Sequence, residues 1–285
     1  MPARYQDLVS TQVVAHHLDD ADWVLLDCRY DLTDSDAGNN AYASAHLPGA
    51  VYADLERDLS SAPTSSSGRH PLPQPATLGA RLGQWGVDKH TQLVVYDDSG
   101  GAFAARAWWL ARWLGHEHVA VLDGGLRAWQ RHGLPMTTTV DSRDAVAFEF
   151  DEHADWCVDV DQLQAELASG ALLLDARSAD RFMGDIEPLD SRAGHIPGAH
   201  NYPFAANLDE RGHFLQAAEL RACFDAASGD HNASEIICMC GSGVTACHNL
   251  LAMAIAGLPG ARLYPGSWSE WCSDPDRPVA TGPDC

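Results

Sequence analysis

The chain repeats itself once, and the length of the repeat limits what it can fold into. "VLLDCR" at 24–29 returns as "LLLDAR" at 172–177, and "AHLPGAVY" at 45–52 returns as "GHIPGAHN" at 194–201. "LVVYDDSGGA" at 93–102 aligns with "EIICMCGSGV" at 235–244, and "DGGLRAW" at 123–129 with "PGSWSEW" at 265–271, both at an offset of 142 residues. Solenoid units are only about 20–50 residues long, so repeats of this size are duplicated domains. Each copy runs through an amphipathic helix, a buried strand ending in Asp and a loop through His-hydrophobic-Pro-Gly. More helix follows, then a second buried strand, a turn, a long helix and a third strand. Short apolar strands alternating with helices predict an α/β fold in each half, a mainly parallel sheet covered on both faces. Ligands of such sheets gather at the carboxyl ends of the strands.

At 285 residues and 46% apolar content, each half has enough chain to bury a core. The mixed segment "MTTTVDSRDAVAFEFDEHADW" at 136–156 is the natural connector, which predicts a first domain over 1–138, a linker over 139–155 and a second domain over 156–285. The run "SSAPTSSSGRHPLPQP" at 60–75 reads as an exposed loop. Trp108, Trp109 and Trp113 fall at helical spacing and read as packing residues. Eighteen basic against 40 acidic residues give a formal charge of −22, which repels nucleic acid and anionic membranes. No apolar run approaches the ~20 residues of a membrane span and the start lacks a signal-peptide pattern, so the cytoplasm is the expected compartment. Eight cysteines without regular spacing read as reduced thiols, and the crowded group Cys238, Cys240, Cys247 and His248 lacks the two separated ligand pairs of a zinc site.

The chemistry concentrates where the strand "EIICM" gives way to the helix "TACHNLLAMAIA". A helix N-terminus supplies unpaired N–H donors and a partial positive charge, and both favour a thiolate over a thiol. Gly241 and Gly243 let the backbone curl into an anion-binding nest around the sulfur of Cys240. The equivalent turn of the first half, "YDDSGGAF", keeps glycines but carries Asp98 where Cys240 stands. One half reads as catalytic and the other as supportive. Asp27 and Asp175 each end a strand two residues before an Arg, and that duplication points to a structural role.

The blocks "DCR"/"DAR", "HLPGA"/"HIPGA", "DGG" and "CGSGVT" resemble the tandem-domain rhodanese-type sulfurtransferases over nearly the whole chain. The resemblance implies two rhodanese-like domains and a Cys240 that accepts a sulfane sulfur as a persulfide. The sulfur then passes to an acceptor such as thioredoxin, glutathione or cyanide, and no cofactor is needed. Thiosulfate-preferring members carry cations directly after the Cys. The loop here, Gly241, Ser242, Gly243, Val244 and Thr245, is neutral and looks like that of the members using 3-mercaptopyruvate. Arg181 matches the substrate arginine of both groups, so it is the expected carboxylate clamp. The mercaptopyruvate group also shows Glu-Pro-Arg, where this chain has Glu187-Pro188-Leu189, so either Arg192 substitutes from a nearby position or carboxylate binding is weaker. The resemblance further implies that Ser242 joins a histidine and an acid of the first domain, at a site between domains. His46 is matched to that histidine, with Asp34 or Asp36 as the acid, while His195 is read as holding a loop. Thiosulfate as donor by the same persulfide is the alternative, and a non-catalytic binding or redox-sensing module a more distant one. A phosphatase of related fold would need an Arg at the end of the loop, where the chain reads Thr245-Ala246-Cys247.

Overall fold

The computed structural model describes residues 4–283 and divides them into two units, each with its own parallel sheet. The first unit contains, in order, β1 (Leu8–Val9), α1 (Thr11–His16), β2 (Trp23–Asp27), α2 (Ala37–Ser44), β3 (Ala50–Tyr52), α3 (Pro75–Gln84), β4 (Gln92–Tyr96), α4 (Ala104–Trp113), β5 (Val119–Leu122) and α5 (Gly125–Arg131). Its strands are ordered β1-β5-β4-β2-β3. The second unit contains α6 (Val160–Ala168), β6 (Leu172–Asp175), α7 (Ala179–Met183), β7 (Ala199–Asn201), α8 (Ala217–Ser228), β8 (Ile236–Met239), α9 (Ala246–Ile255), β9 (Arg262–Leu263) and α10 (Ser267–Trp271), with strand order β7-β6-β8-β9. Every pairing between named strands is parallel, as continuous apolar strands buried on both faces require.

The duplication is visible in the register. Asp27 pairs with Tyr52 and Tyr96 across β3 and β4, and Asp175 with Asn201 and Met239 across β7 and β8. Each unit closes its own core, around Trp23, Leu25, Val94 and Trp129 in one and Leu173, Phe182, Ile237 and Trp268 in the other. Trp108, Trp109 and Trp113 are buried on α4. Among the described residues, no helix is long and apolar enough to cross a membrane.

The duplicated Asp and Arg form a buried fork in each unit. Arg29 Nε donates to both Asp27 oxygens at 2.9 and 3.0 Å, Arg29 Nη2 donates to Asp27 Oδ2 at 2.6 Å, and a second Nη2 bond reaches Ala45 O at 2.8 Å. Arg177 repeats this with Asp175 and with Gly194 O at 2.8 Å. The fork ties the end of β2 or β6 to the loop that enters His-hydrophobic-Pro-Gly. This agrees with a structural reading of both pairs.

Two boundaries differ from the sequence expectation. Residues 139–153 are not a free linker; they run extended along the first unit. Val146 N donates to Gly83 O, Asp151 N to Leu114 O and His153 N to Trp113 O, while the Phe150 ring covers Gly79. Backbone hydrogen bonding and the two small glycine surfaces of α3 hold this strap in place. The segment Ala62–Leu72 groups with the second unit, and Glu210–Phe214 with the first. Its Ala62–Ser66 stretch is exposed as expected, but Gly68 and His70 are buried, because Gly68 lies against the Gly266 carbonyl.

Replacing Asp27 with Ala would strand the Arg29 guanidinium in a buried position without its carboxylate. Urea unfolding is expected to show a loss of about 3–5 kcal/mol. A loss under about 1 kcal/mol, the range of an exposed ion pair, would contradict the assigned role.

Candidate active site

Strand β8 ends at Met239 and α9 begins at Ala246, so residues 240–245 are the turn between them. Gly243 takes φ +75°, and a Cβ there would stand 2.5 Å from Pro265 O, so both conformation and space require glycine. The start of the turn is clamped by the segment that opens α10. Cys240 N donates to Ser267 Oγ at 3.1 Å, Trp268 N donates to Cys240 O at 3.0 Å, and Ser269 N donates to Gly241 O at 2.9 Å. Ser267 is itself held at φ 55°, a left-handed conformation unusual for a residue with a side chain, and its hydroxyl donates to Tyr264 O. Cys240 is 2% exposed.

The corresponding turn of the first unit is filled from within. Asp97, one residue before Asp98, accepts from Ser99 N and Gly101 N on Oδ1 and from Phe103 N and Ala104 N on Oδ2, at 2.8–2.9 Å. Burial pushes this carboxyl up and the four N–H groups offset part of that rise. Met239 stands in its place in the second unit and carries no charge, so that curl has no internal anion from this position.

Ser242 is buried, and its hydroxyl lies 2.7 Å from His70 Nδ1. His70 is therefore the histidine on Ser242, in place of the expected His46. Both His46 ring nitrogens face backbone carbonyls, Nδ1 to Tyr42 O at 2.7 Å and Nε2 to Thr139 O at 3.0 Å, and the ring stacks on Tyr42. His195 repeats this pattern, with Nδ1 on Phe182 O and its ring stacked on Phe182. The two His-hydrophobic-Pro-Gly histidines thus fasten loops, as read for His195. Asp34 and Asp36 are exposed at the start of α2, and neither carboxylate bonds to His46. His70 precedes Ser242 by 172 residues but folds into the same unit. Its signal in the sequence is that Arg69 and His70 are the only ionisable residues in the stretch 60–75.

Above Gly241 lies a charge cluster of Arg69, Arg181, Glu187 and Asp190, with Arg177 also paired to Glu187 at 3.5 Å. A Cβ at Gly241 would be 3.1 Å from Arg69 Nη2 and 3.4 Å from Arg181 Nη1. Arg181 thus reaches the turn as expected, but its Nη2 is engaged by Glu187 at 2.7 and 2.9 Å and by Asp190 at 3.3 Å. Arg69 Nη1 is paired with Asp190 Oδ1. Leu189 contributes only its backbone, which donates to Glu187 Oε1. Arg192 does not join the cluster: its Nη1 donates to Asp274 O and Arg277 O, and its carbonyl accepts from Trp268 Nε1, so it fastens the chain after α10. The second guanidinium beside Gly241 belongs to Arg69. Burial pushes the Asp190 carboxyl up, against the opposing pull of Arg69.

Behind Cys240, the buried Arg177 guanidinium stacks over Trp268 at 4.7 Å. Burial opposes its charge, but Asp175, Glu187 and Cys240 outweigh that and hold it protonated. The other thiols near Cys240 differ. Burial keeps Cys238 well above the ordinary thiol range, and Cys247 Sγ donates to Gly243 O at 3.3 Å. His248 Nδ1 lies 3.2 Å from Asn207 Nδ2. Cys240 is thus a buried thiol in a glycine-bearing turn before a helix, with a hydroxyl–imidazole pair and two guanidiniums at the same turn.

The Rhodanese-like domain family matches residues 10–132 and 159–274. A Pseudomonas aeruginosa protein named "Probable 3-mercaptopyruvate sulfurtransferase" is 49% identical over 279 residues, 96% of this chain and 98% of that one. The mouse thiosulfate sulfurtransferase is 36% identical over 253 residues, 85% of this chain and 82% of its own. The crystal structure of the Escherichia coli 3-mercaptopyruvate sulfurtransferase superposes with a TM-score of 0.80 at 35% identity, over 93% of this chain and 100% of that one.

Gly243→Ala introduces both a strained φ and an overlap with Pro265 O, and thermal unfolding is expected to show a loss of roughly 1–3 kcal/mol or more. Gly198→Ala has a similar φ of +84° with open space around it and is expected to cost less. Equal losses would remove the steric argument for the turn.

Proposed function

The chain belongs to the rhodanese-like sulfurtransferases and is a sulfurtransferase, and from that premise we propose that its donor is 3-mercaptopyruvate, its sulfur carrier a Cys240 persulfide, and its acceptor a thiol such as thioredoxin or glutathione, or cyanide. The observation that carries the choice of donor is the division of charge at the site. The turn from Gly241 to Thr245 has no cation, whereas two guanidiniums from outside it converge over Gly241. That arrangement suits a donor whose transferred sulfur is uncharged carbon-bound thiol and whose charge sits on a carboxylate some atoms away. Thiosulfate carries its charge on the sulfur group itself and is the second reading, favoured by the relatives named for it.

In this reading the Cys240 thiolate attacks the donor sulfur, the S–S bond forms and the donor's C–S bond breaks. The electron pair leaves as the enolate of pyruvate, which takes a proton to become pyruvate. The Ser242–His70 pair is within reach to move that proton, and the backbone N–H groups of the turn hold the charge of the persulfide. An acceptor thiolate then attacks the outer sulfur and releases Cys240. No cofactor enters, because the enolate takes the electron pair of the broken C–S bond and the Cys240 sulfur is the leaving group of the second transfer. The formal charge of −22 argues against nucleic acid and anionic membranes as partners. We assign the reaction to the cytoplasm, where acceptor thiols stay reduced.

Incubation with 3-mercaptopyruvate is expected to add one sulfur to the intact mass, and Cys240→Ser to abolish the addition. A kcat/KM higher for thiosulfate than for mercaptopyruvate would overturn the donor assignment while leaving the persulfide intact.

His70→Ala and Ser242→Ala are each expected to lower kcat by about 10²-fold or more. Because the pair acts as a unit, the double variant should fall no further than the worse single one. Losses that multiply would separate the two residues, and a comparable kcat loss in folded His46→Ala would overturn the assignment of His70.

A further inference from the structure

The Ser242–His70 pair joins the turn of Cys240 to a stretch of chain without regular structure. No strand or helix lies between β3 and α3, so His70 stands on an irregular arm, the Ala62–Leu72 segment of the second unit. Among the described residues, 61–69 make no backbone–backbone hydrogen bond outside the stretch; within it, Ser67 N donates to Thr64 O. A proton-transfer group on such an arm is only as well placed as the contacts that hold the arm.

The contacts of the arm's backbone converge on Ser269, which is 8% exposed. Its Oγ accepts from Arg69 N at 3.1 Å and donates to Gly266 O at 3.2 Å, so both sides of the hydroxyl are engaged and its direction is fixed. The amide of the same residue donates to Gly241 O at 2.9 Å. Gly68 lies directly on this point: a Cβ there would stand 2.5 Å from Gly266 O and 2.9 Å from Ser269 Oγ. Arg69 adds a side-chain hold, the ion pair of its Nη1 with Asp190.

These bonds close a ring. Gly241 and Ser242 are consecutive, as are Arg69 and His70. Ser269 bridges the first members, through its amide to Gly241 and its hydroxyl to Arg69, and the 2.7 Å contact of Ser242 Oγ with His70 Nδ1 bridges the second. Two dipeptides 172 residues apart are thereby joined at both ends.

We propose that Ser269 is the positioning residue of the Ser242–His70 pair: its amide docks the turn, its hydroxyl docks the arm, and one side chain sets the distance between hydroxyl and imidazole. This rests on the reading that the pair moves the proton of the departing enolate. The nucleophile does not depend on the Ser269 hydroxyl. Cys240 N and O are bonded by Ser267 and Trp268, and Gly241 O by the Ser269 amide, which any residue but proline supplies. Loss of the hydroxyl therefore slows the proton step and spares the thiol.

In the full chain, Ser269→Ala is expected to lower kcat for 3-mercaptopyruvate about tenfold, through misplacement of the imidazole, with the rate of Cys240 alkylation by iodoacetamide unchanged. Ser269→Thr keeps a hydroxyl and should restore kcat. In the His70→Ala background, Ser269→Ala should cost nothing further, because it acts only through His70. Trypsin reads the arm without any catalysis, at the peptide bond after Arg69, which is cleaved only when the arm lifts. Loss of one hydrogen bond is expected to speed that cleavage about fivefold in Ser269→Ala and not in Ser269→Thr. Gly68→Ala, which presses on the same hydroxyl from the arm, should reproduce both effects. A kcat loss that persists in full in the His70→Ala background, or an unchanged cleavage rate in Ser269→Ala, overturns the proposal. A wild-type kcat in His70→Ala alone overturns the reading of the pair instead, and the cleavage rate still decides whether Ser269 docks the arm.

Discussion

The second unit depends on how the backbone at Cys240 is tied down. A strand that ends under a helix N-terminus exposes several N–H groups at once, and left alone such a turn would continue into the helix or hydrate. Here Ser267, Trp268 and Ser269 bond the N–H and carbonyl of Cys240 and the carbonyl of Gly241. These bonds fix the backbone of Cys240 and Gly241 at the start of the curl. The cost is a buried serine at φ 55°, a conformation that only a well-determined surrounding sustains. The same three residues then receive the segment carrying Arg69 and His70, through Ser269 Oγ and the Gly266 carbonyl that leaves room only for Gly68. One turn thereby organises the nucleophile, the Ser242–His70 pair and a guanidinium.

The two copies show what duplication preserved and what it released. Both keep the Asp–Arg fork and the stacked histidine before Pro-Gly, which secure the loop after β2 and after β6. Both keep a glycine-bearing curl at the carboxyl end of β4 or β8. The first copy closes that curl with the Asp97 carboxylate, satisfying four N–H groups from within the fold. In the second, Met239 occupies the equivalent position and supplies no carboxylate. Two consecutive positions thus separate the turns, Asp97-Asp98 in one and Met239-Cys240 in the other.

The fold was legible because its signals are local and repeated. Apolar strands, glycine turns and helix periodicity recur at a fixed offset, and physical reasoning on one copy is checked by the other. The place of Cys240 at the carboxyl-end turn was legible for the same reason, whereas the reach of Arg181 to that turn was expected from the family resemblance. The histidine was not. His46 and His195 attract attention as a repeated pair, yet repetition is a mark of scaffolding, and both rings are fastened to backbone carbonyls or stacked on an aromatic neighbour. His70 and Arg69 occur once, in a Ser- and Pro-rich run with no periodicity. Arg192 was near the right place in sequence but is turned to the carbonyls of Asp274 and Arg277.

Order along the chain therefore determined the two α/β units, their carboxyl-end turns and the one turn that holds a thiol, because these arise from hydrogen bonds and burial between residues close in sequence or duplicated. Only the tertiary structure decided which distant side chains complete the site. Ser242 meets His70 across 172 residues, and Asp190 holds Arg69 across 121. Contacts of that span leave no periodicity in the sequence; they are selected by which charged and polar groups can be satisfied once the backbone has closed around Cys240.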